Sequence, residues 1–175
     1  HIATVLMDRQ FPAHPPFGAE PKKADLELLL KWMVAAGDVR SSVGYDDATG
    51  KILRTLGQPL ELVNLGQVKA SLRLDSRYIK EVLQRADRDS VGWGPVAEYL
   101  RDTYGLQPLV IDLFLCFLCQ RDHRALREPD GTPLDVQIGM PSSVSIRLQR
   151  GKLVDQPDWY RLRDLANQLL AVPRP

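Results

Sequence analysis

The most apolar stretch of the chain lies between Leu109 and Cys119, where Asp112 is the only residue that is not apolar. A helix that is apolar around its whole circumference is normally buried. Pro108 precedes this stretch and suits the opening of a helix, because proline has no backbone N–H to leave unpaired there. The pattern therefore predicts a buried helix from Leu109 to about Asp122, around which the other elements pack.

A second helix and a hairpin are predicted on either side of this buried helix. Residues 96–104 have a helical pattern, with Pro95 at the first position and Gly105 just past the end. The sequence Pro-Asp-Gly at residues 129–131 is a strong turn signal. Apolar residues alternate after it, as in a half-buried strand: Leu134, Val136 and Ile138. Helix, tight turn, helix and hairpin form the outline of a winged helix.

The N-terminal part is predicted to contain one regular helix after an extended segment. Residues 21–36 place apolar side chains at positions i, i+3, i+4 and i+7, and Gly37 follows as a C-cap. The apolar positions are Leu26, Leu29, Leu30 and Met33. Residues 11–17 contain three prolines, which exclude regular structure. We expect this segment to be extended and to hold Phe11 and Phe17 against the body.

Residues 39–56 allow two interpretations. They form two short strands joined by a turn at residues 47–50, or Asp46 or Asp47 caps a short helix that ends at Gly57. We favour the helix, since aspartate is a strong N-cap residue.

A strand and a helix are predicted next. Residues 68–74 alternate between apolar and polar, which predicts a strand. Asp75 or Ser76 then caps a helix that runs to Ala86. Its inward positions are Ile79, Val82, Leu83 and Ala86. Residues 87–94 are predicted to be a loop.

Two further elements complete the chain. Val144, Ile146 and Leu148 alternate up to Gly151, in a helix or a strand, and Asp158 caps a final helix over residues 159–170. The whole pattern predicts an α+β, mostly helical fold in three parts. These are a helical and irregular region over residues 1–87, the winged-helix-like unit over residues 88–150, and a C-terminal helix over residues 151–175 that leads to a further domain.

Composition narrows the classes of function. Hydrophobic residues make up 44% and charged residues 26% of the 175 residues, as in an ordinary globular protein. The formal net charge of +1 gives no overall field that would attract nucleic acid or an acidic membrane. No apolar run is long enough to cross a bilayer. Two cysteines without a disulfide pattern indicate a reduced, cytoplasmic setting. The chain begins without methionine, and we expect it to be part of a larger protein.

Residues 44–52 superficially resemble a phosphate-binding loop but lack its chemistry. The spacing has one residue too many, and Ile52 stands where a serine or threonine must bind Mg²⁺. Asp46 and Asp47 would also repel phosphate. We therefore expect a surface turn here.

Cys116, Cys119 and His123 share one helix face and could in principle bind Zn²⁺. Structural zinc sites usually take paired ligands from separate elements, however, and the sequence has no second pair. A redox pair needs a helix N-terminus to lower the thiol pKa, whereas these cysteines lie in mid-helix. We favour buried cysteines that act as small apolar side chains. No metal, cofactor or catalytic set is expected.

Nucleic-acid binding is the main alternative function, because winged helices often contact DNA through the second helix of the pair. Residues 76–130 contain eight Arg and Lys against nine Asp and Glu, whereas phosphate binding needs clustered cations. Between Leu109 and Cys119, the predicted second helix offers bases only Asp112, which phosphate would repel. The candidate contacts for nucleic acid or a partner are the arginines of one local cluster: Arg121, Arg124 and Arg127.

Four segments carry a resemblance to a known family. They are Phe-Pro-Ala-His-Pro-Pro-Phe at residues 11–17, Leu-Arg-Thr-Leu-Gly-Gln-Pro-Leu-Glu-Leu at residues 53–62, the Gly105-Leu106 turn before the apolar helix, and Asp158-Trp159. Through them the chain resembles the large ATPases of bacterial phage-growth-limitation and bacteriophage-exclusion defence systems. The resemblance implies a long cytoplasmic multidomain protein whose ATPase domain lies outside this part. It assigns no functional residue here.

The sequence thus predicts a non-catalytic structural or interaction module of a larger phage-defence ATPase. The expected partners are other domains of the same chain or other proteins of the system, with no membrane contact. A winged helix that contacts nucleic acid weakly is the alternative, and an enzyme comes third.

Overall fold

The computed structural model describes residues 9–18, 20–38, 42–139 and 146–151, which form an α+β fold. The helices are α1 (Lys23–Asp38), α2 (Asp47–Ile52), α3 (Arg77–Arg85), α4 (Trp93–Tyr104) and α5 (Pro108–Arg121). A π-helical turn, Leu53–Gly57, continues α2. The strands are β1 (Val43–Gly44), β2 (Val63–Leu65), β3 (Lys69–Leu72), β4 (Ser90–Gly92), β5 (Arg124–Arg127), β6 (Pro133–Leu134) and β7 (Arg147–Arg150).

The predicted N-terminal helix is present as α1 but lies two residues further along the chain. It begins at Lys23 and ends at Asp38, so Gly37 lies inside the helix and the predicted C-cap is wrong. Glycine is tolerated there at a modest cost in stability. Three of the four predicted apolar positions are fully buried: Leu26, Leu29 and Met33. Leu30 is only partly buried and packs at the margin of the core.

The proline-rich segment over residues 11–17 is irregular, as predicted, and it is fixed to the body by hydrogen bonds. It is not extended throughout, because the His14 N–H donates to the Phe11 carbonyl at 2.9 Å and closes a turn. The Tyr78 hydroxyl donates to the Ala13 carbonyl at 2.9 Å. The His14 Nδ1 atom lies 2.9 Å from the Tyr104 carbonyl at the end of α4. Phe17 packs against the core, as expected. Phe11 is not among the side chains of the core or those that pack against it.

The favoured helical interpretation of residues 47–57 is confirmed. Asp46 precedes α2 in an extended conformation, and its carboxylate accepts a hydrogen bond of 2.7 Å from the Thr49 N–H. This bond is an N-cap and lowers the pKa of Asp46. The π-helical turn ends at Gly57, so the alternative of a strand over residues 51–56 is wrong.

Strands β1, β3 and β2 form an antiparallel sheet in that order. β3 is shorter than the predicted strand, because Val68 and Leu74 lie beyond its ends with 71% and 38% of their surface exposed. Ala70, in the middle of β3, is buried as the alternation predicts.

Helix α3 begins one residue after Ser76, as predicted, but the serine side chain does not cap it. The Ser76 hydroxyl donates instead to the Leu60 carbonyl at 3.0 Å, which ties the start of α3 to the preceding loop. Three of the four predicted inward positions are buried: Ile79, Val82 and Ala86. Leu83 is partly buried.

A second antiparallel sheet has the order β4-β7-β5-β6. The prediction of a loop over residues 87–94 is wrong, because β4 lies within it and pairs with β7. The Trp93 N–H extends this pairing with a hydrogen bond of 2.9 Å to the Ile146 carbonyl. Trp93 also begins α4, three residues before the predicted start. Gly105 ends α4 with a φ of 62°, which confirms the predicted C-cap.

β5 and β6 form the predicted hairpin, in which Leu126 lies opposite Leu134. The strand after the turn is shorter than predicted and ends at Leu134. Val136 and Ile138 continue to alternate in burial without pairing. The last alternating stretch, before Gly151, forms a strand rather than a helix, and this strand β7 inserts between β4 and β5.

The predicted apolar helix is confirmed as α5 and forms the centre of the core. All ten residues from Val110 to Cys119 are buried. Helix α1 packs along α5, so the N-terminal region covers the most apolar element of the chain. Core side chains come from both sides of residue 87.

The predicted final helix over residues 159–170 lies outside the described residues, as does Val144. Among the helices that are described, none combines the length and the apolar character needed to span a membrane.

Candidate interaction surface on the second sheet

Helix α5 has no exposed polar face that could contact bases. Its single carboxylate, on Asp112, is 2% exposed, and burial raises the pKa of this group. The Asp112 carboxylate accepts a hydrogen bond of 2.9 Å from the Gly139 N–H, so its hydrogen-bond partner lies inside the protein. Helix α5, the second helix of the pair formed with α4, is therefore a core helix.

Cys116 and Cys119 are buried in α5, as predicted. Burial raises the pKa of each thiol to about 12, so both are protonated at neutral pH and are poor nucleophiles. His123 lies just past the end of the helix with a φ of 51°. Within the described ranges, no group of three or more His, Cys, Asp or Glu side chains is arranged to hold a metal ion.

The three arginines predicted as contacts occupy different environments. Arg124 is 5% exposed, and its guanidinium donates to the Arg88 carbonyl at 3.2 Å. The Arg124 Nε atom also lies 3.6 Å from a carboxylate oxygen of Asp122. This guanidinium therefore joins β5 to the segment before β4, and it exposes little surface that a partner could contact.

The other two arginines are more accessible. Arg121 is exposed at the end of α5, 4.0 Å from an Asp122 carboxylate oxygen. Arg127 is partly exposed on β5 and donates to the Gly131 carbonyl at 2.8 Å, which fixes its guanidinium beside the hairpin turn.

The register of the second sheet adds an arginine that the sequence interpretation missed. Arg147 on β7 lies directly opposite Arg127 on β5. Residues opposite each other in antiparallel strands project from the same face, with Cβ atoms roughly 4.5–5.5 Å apart. The alternation of Ile146 and Leu148 places Arg147 on the polar side of its strand, but the sequence does not indicate which strand it pairs with.

The side chains around this pair on the exposed face of the sheet are small, apart from Gln149. The same row across the sheet contains Gly92 and Pro133, and the next row contains Ser90, Gln149 and Ala125. On the opposite face, Leu126 and Leu148 are buried in the middle, and a second pair of opposed arginines, Arg124 and the exposed Arg150, lies at the end. We call the exposed face, formed by Ser90, Gly92, Ala125, Arg127, Pro133, Arg147 and Gln149, the outer sheet face.

Carboxylates lie near the ends of the strands rather than on the outer sheet face. Glu128, Asp130 and Asp135 are exposed near the hairpin, and Asp87 and Asp89 are exposed before β4. Asp87 lies 3.6 Å from the Arg150 guanidinium, and Asp130 accepts a hydrogen bond of 2.8 Å from the Thr132 N–H. In the described part of the chain, no carboxylate forms an ion pair with Arg127 or Arg147.

A separate groove of about 780 Å³ runs between α3, β4 and α4. The Arg85 guanidinium lies 3.3 Å from the centroid of the Tyr99 ring in this groove and is also paired with Glu81. Because Arg85 is satisfied by the ring and the carboxylate, this groove offers a partner less unpaired charge than the outer sheet face does.

No family model matches the chain, and comparison with curated proteins and with solved structures finds no similar protein.

Proposed function

We propose that residues 76–151 form a winged-helix unit. The order of elements supports it: helix α3, strand β4, the helix pair α4 and α5, and then strands β5 and β7 joined by a long connection. The sheet order β4-β7-β5, antiparallel throughout, is the arrangement expected for the three strands of such a unit. The short strand β6 is an addition at the edge.

We further propose that this part of the chain is a non-catalytic interaction module of a larger phage-defence ATPase, in contact with other domains or other proteins of the system. The link to such an ATPase is supported by the sequence resemblance alone. The interaction role is supported by the burial of α5, because α1 covers the helix that a DNA-binding winged helix would insert into the major groove.

The outer sheet face supports a protein partner rather than a substrate. It is exposed, is composed mainly of small or polar side chains, and contains no group of acids, bases and nucleophiles of the kind that catalysis requires. A surface of this kind is suited to contact with another polypeptide.

Weak nucleic-acid contact is the alternative function. It is favoured by Arg121, Arg127 and Arg147, all accessible on or near the second sheet. It is opposed by the exposed carboxylates at both ends of the strands, which would repel a phosphate backbone.

The experiment that separates the two functions is capture of partners by the full-length protein in its own host, with and without nuclease. The proposal predicts the same specific protein partners in both samples. Partners that disappear after nuclease treatment, together with co-purified nucleic acid, would support the alternative and contradict the proposal.

A further inference from the structure

We infer that the outer sheet face binds an acidic segment of a partner protein, with carboxylates seated between Arg127 and Arg147. This inference rests on the proposed interaction function and names the chemistry of the partner. It follows from the one feature of this face that the fold does not explain, namely two like charges placed opposite each other.

Like charges directly opposite in a sheet destabilise the pair. Other arginines of this sheet are matched within the chain: Arg124 with Asp122, and Arg150 with Asp87. Arg127 has only a neutral partner, the Gly131 carbonyl, and Arg147 has no ion pair in the described part. An anionic ligand that inserts between the two guanidiniums would turn this repulsion into attraction.

The neighbouring residues leave room for such a ligand. Gly92 and Pro133 flank the pair in its own row, and Ala125 and Ser90 lie in the next row. None of these four side chains is long enough to cover the guanidiniums. Gln149, which lies between Ser90 and Ala125, is longer, but it is neutral and exposed. Planar guanidiniums bind carboxylates through paired N–H donors, so two adjacent acidic residues of an extended segment would match the two arginines.

The charges around the pair favour a peptide over nucleic acid. Exposed carboxylates lie towards one edge of the sheet, at Glu128, Asp130 and Asp135, and towards the other, at Asp87 and Asp89. Among the described residues, the outer sheet face itself carries two arginines and no carboxylate. A duplex presents phosphates over a much larger area and would meet the exposed carboxylates, whereas a short acidic segment would not.

The test uses the whole chain and fluorescence anisotropy with three labelled probes: hexaglutamate, hexaglutamine and a short DNA duplex. We expect hexaglutamate to bind more tightly than the other two probes. The double variant Arg127→Gln/Arg147→Gln should weaken this binding by about tenfold or more, because it removes two charge-assisted contacts. The control is Lys80→Gln/Arg101→Gln, which removes the same charge from exposed positions on α3 and α4 and should leave binding within about twofold.

Thermal unfolding provides the second measurement. Arg147→Gln should raise the melting temperature by about 1–3 °C, since it removes one of two like charges at directly opposite positions of the sheet. A lower melting temperature would show that the fold itself uses the pair, and it would overturn the inference. Equal binding of hexaglutamate by the double variant and the control would also overturn it. So would tighter binding of the duplex that depends on the two arginines.

The binding of an acidic segment can be disproved while the proposed interaction function still stands. If the double variant still captures the same nuclease-resistant partners as the wild type, the interaction module stands and the assignment of the outer sheet face is wrong. If the wild type captures no such partner, the proposed function fails whatever hexaglutamate does.

Discussion

The Asp112 carboxylate lies in the stretch of α5 that is otherwise apolar, and it accepts a hydrogen bond of 2.9 Å from the Gly139 N–H. Asp112 is buried, and its burial raises its pKa, while the hydrogen bond from Gly139 acts in the opposite direction. Gly139 has a φ of 79°, a conformation that favours glycine. The one polar residue between Leu109 and Cys119 therefore fixes the segment after β6 against the core.

The raised pKa of Asp112 predicts a specific pH dependence. A carboxyl group whose pKa is higher in the folded than in the unfolded state stabilises the fold at low pH, and this contribution is lost as the pH rises through the folded-state pKa. Asp112→Asn keeps an oxygen acceptor for Gly139 but cannot ionise. We expect the stability of the variant relative to wild type to increase as the pH rises above the ordinary carboxyl range and through the raised pKa of Asp112. Denaturant unfolding across this pH range measures it, and a constant difference would contradict the assignment.

Leu113→Asp should prevent folding or leave a molten state. Leu113 is fully buried, and an unpaired carboxylate in a dry core costs several kcal/mol, comparable to the stability of a whole domain. Thr103→Asp, at an exposed position on α4, is the control and should stay folded. Near-UV circular dichroism and thermal unfolding distinguish the outcomes. Wild-type stability of the Leu113 variant would mean that α5 is not the core helix.

The cysteines should react slowly in the folded protein. With their pKa raised to about 12 by burial, the thiols of Cys116 and Cys119 are almost entirely protonated near pH 8. Alkylation followed by mass spectrometry should modify both only after a denaturant is added. Elemental analysis should also find far less than one equivalent of zinc. Rapid alkylation of the folded chain, or stoichiometric zinc lost in Cys119→Ala, would show that the buried-cysteine assignment is wrong.

Residues 44–52 should contribute to stability and not to nucleotide chemistry. Asp46→Ala removes the N-cap of α2 and should lower the free energy of unfolding, whereas Asp47→Ala, at an exposed position without this hydrogen bond, should lower it less. Neither variant nor the wild type should hydrolyse ATP above a buffer blank. ATP hydrolysis that survives repurification of the wild type and is lost in Asp46→Ala would show that this loop takes part in nucleotide chemistry.

Local patterns predict the helices well and the second sheet poorly. α5 is visible in the sequence because its apolar run has no polar face, and α4 ends at a glycine whose conformation requires one. β4 is only three residues long, and its partner β7 follows more than fifty residues later, so no local pattern reveals their pairing. A strand that is stabilised by a distant partner has little signal of its own.

The candidate site likewise depends on strand pairing that no local sequence pattern reveals. The sequence places Arg121, Arg124 and Arg127 together, but the side-chain directions depend on the sheet. Arg124 faces inward beside Asp122, and Arg147, from a distant strand, takes a place opposite Arg127. Neither fact follows from spacing, because both depend on the register of β5 and β7.

The proposed function requires that this chain does not recognise DNA sequence. The most direct test is a salt titration of duplex binding by the wild type and by the variant Arg121→Glu/Arg127→Glu/Arg147→Glu. The account predicts wild-type binding weaker than about 10 μM at physiological salt, without sequence preference and little changed by the reversal. Submicromolar, sequence-selective binding that the three substitutions abolish would contradict it.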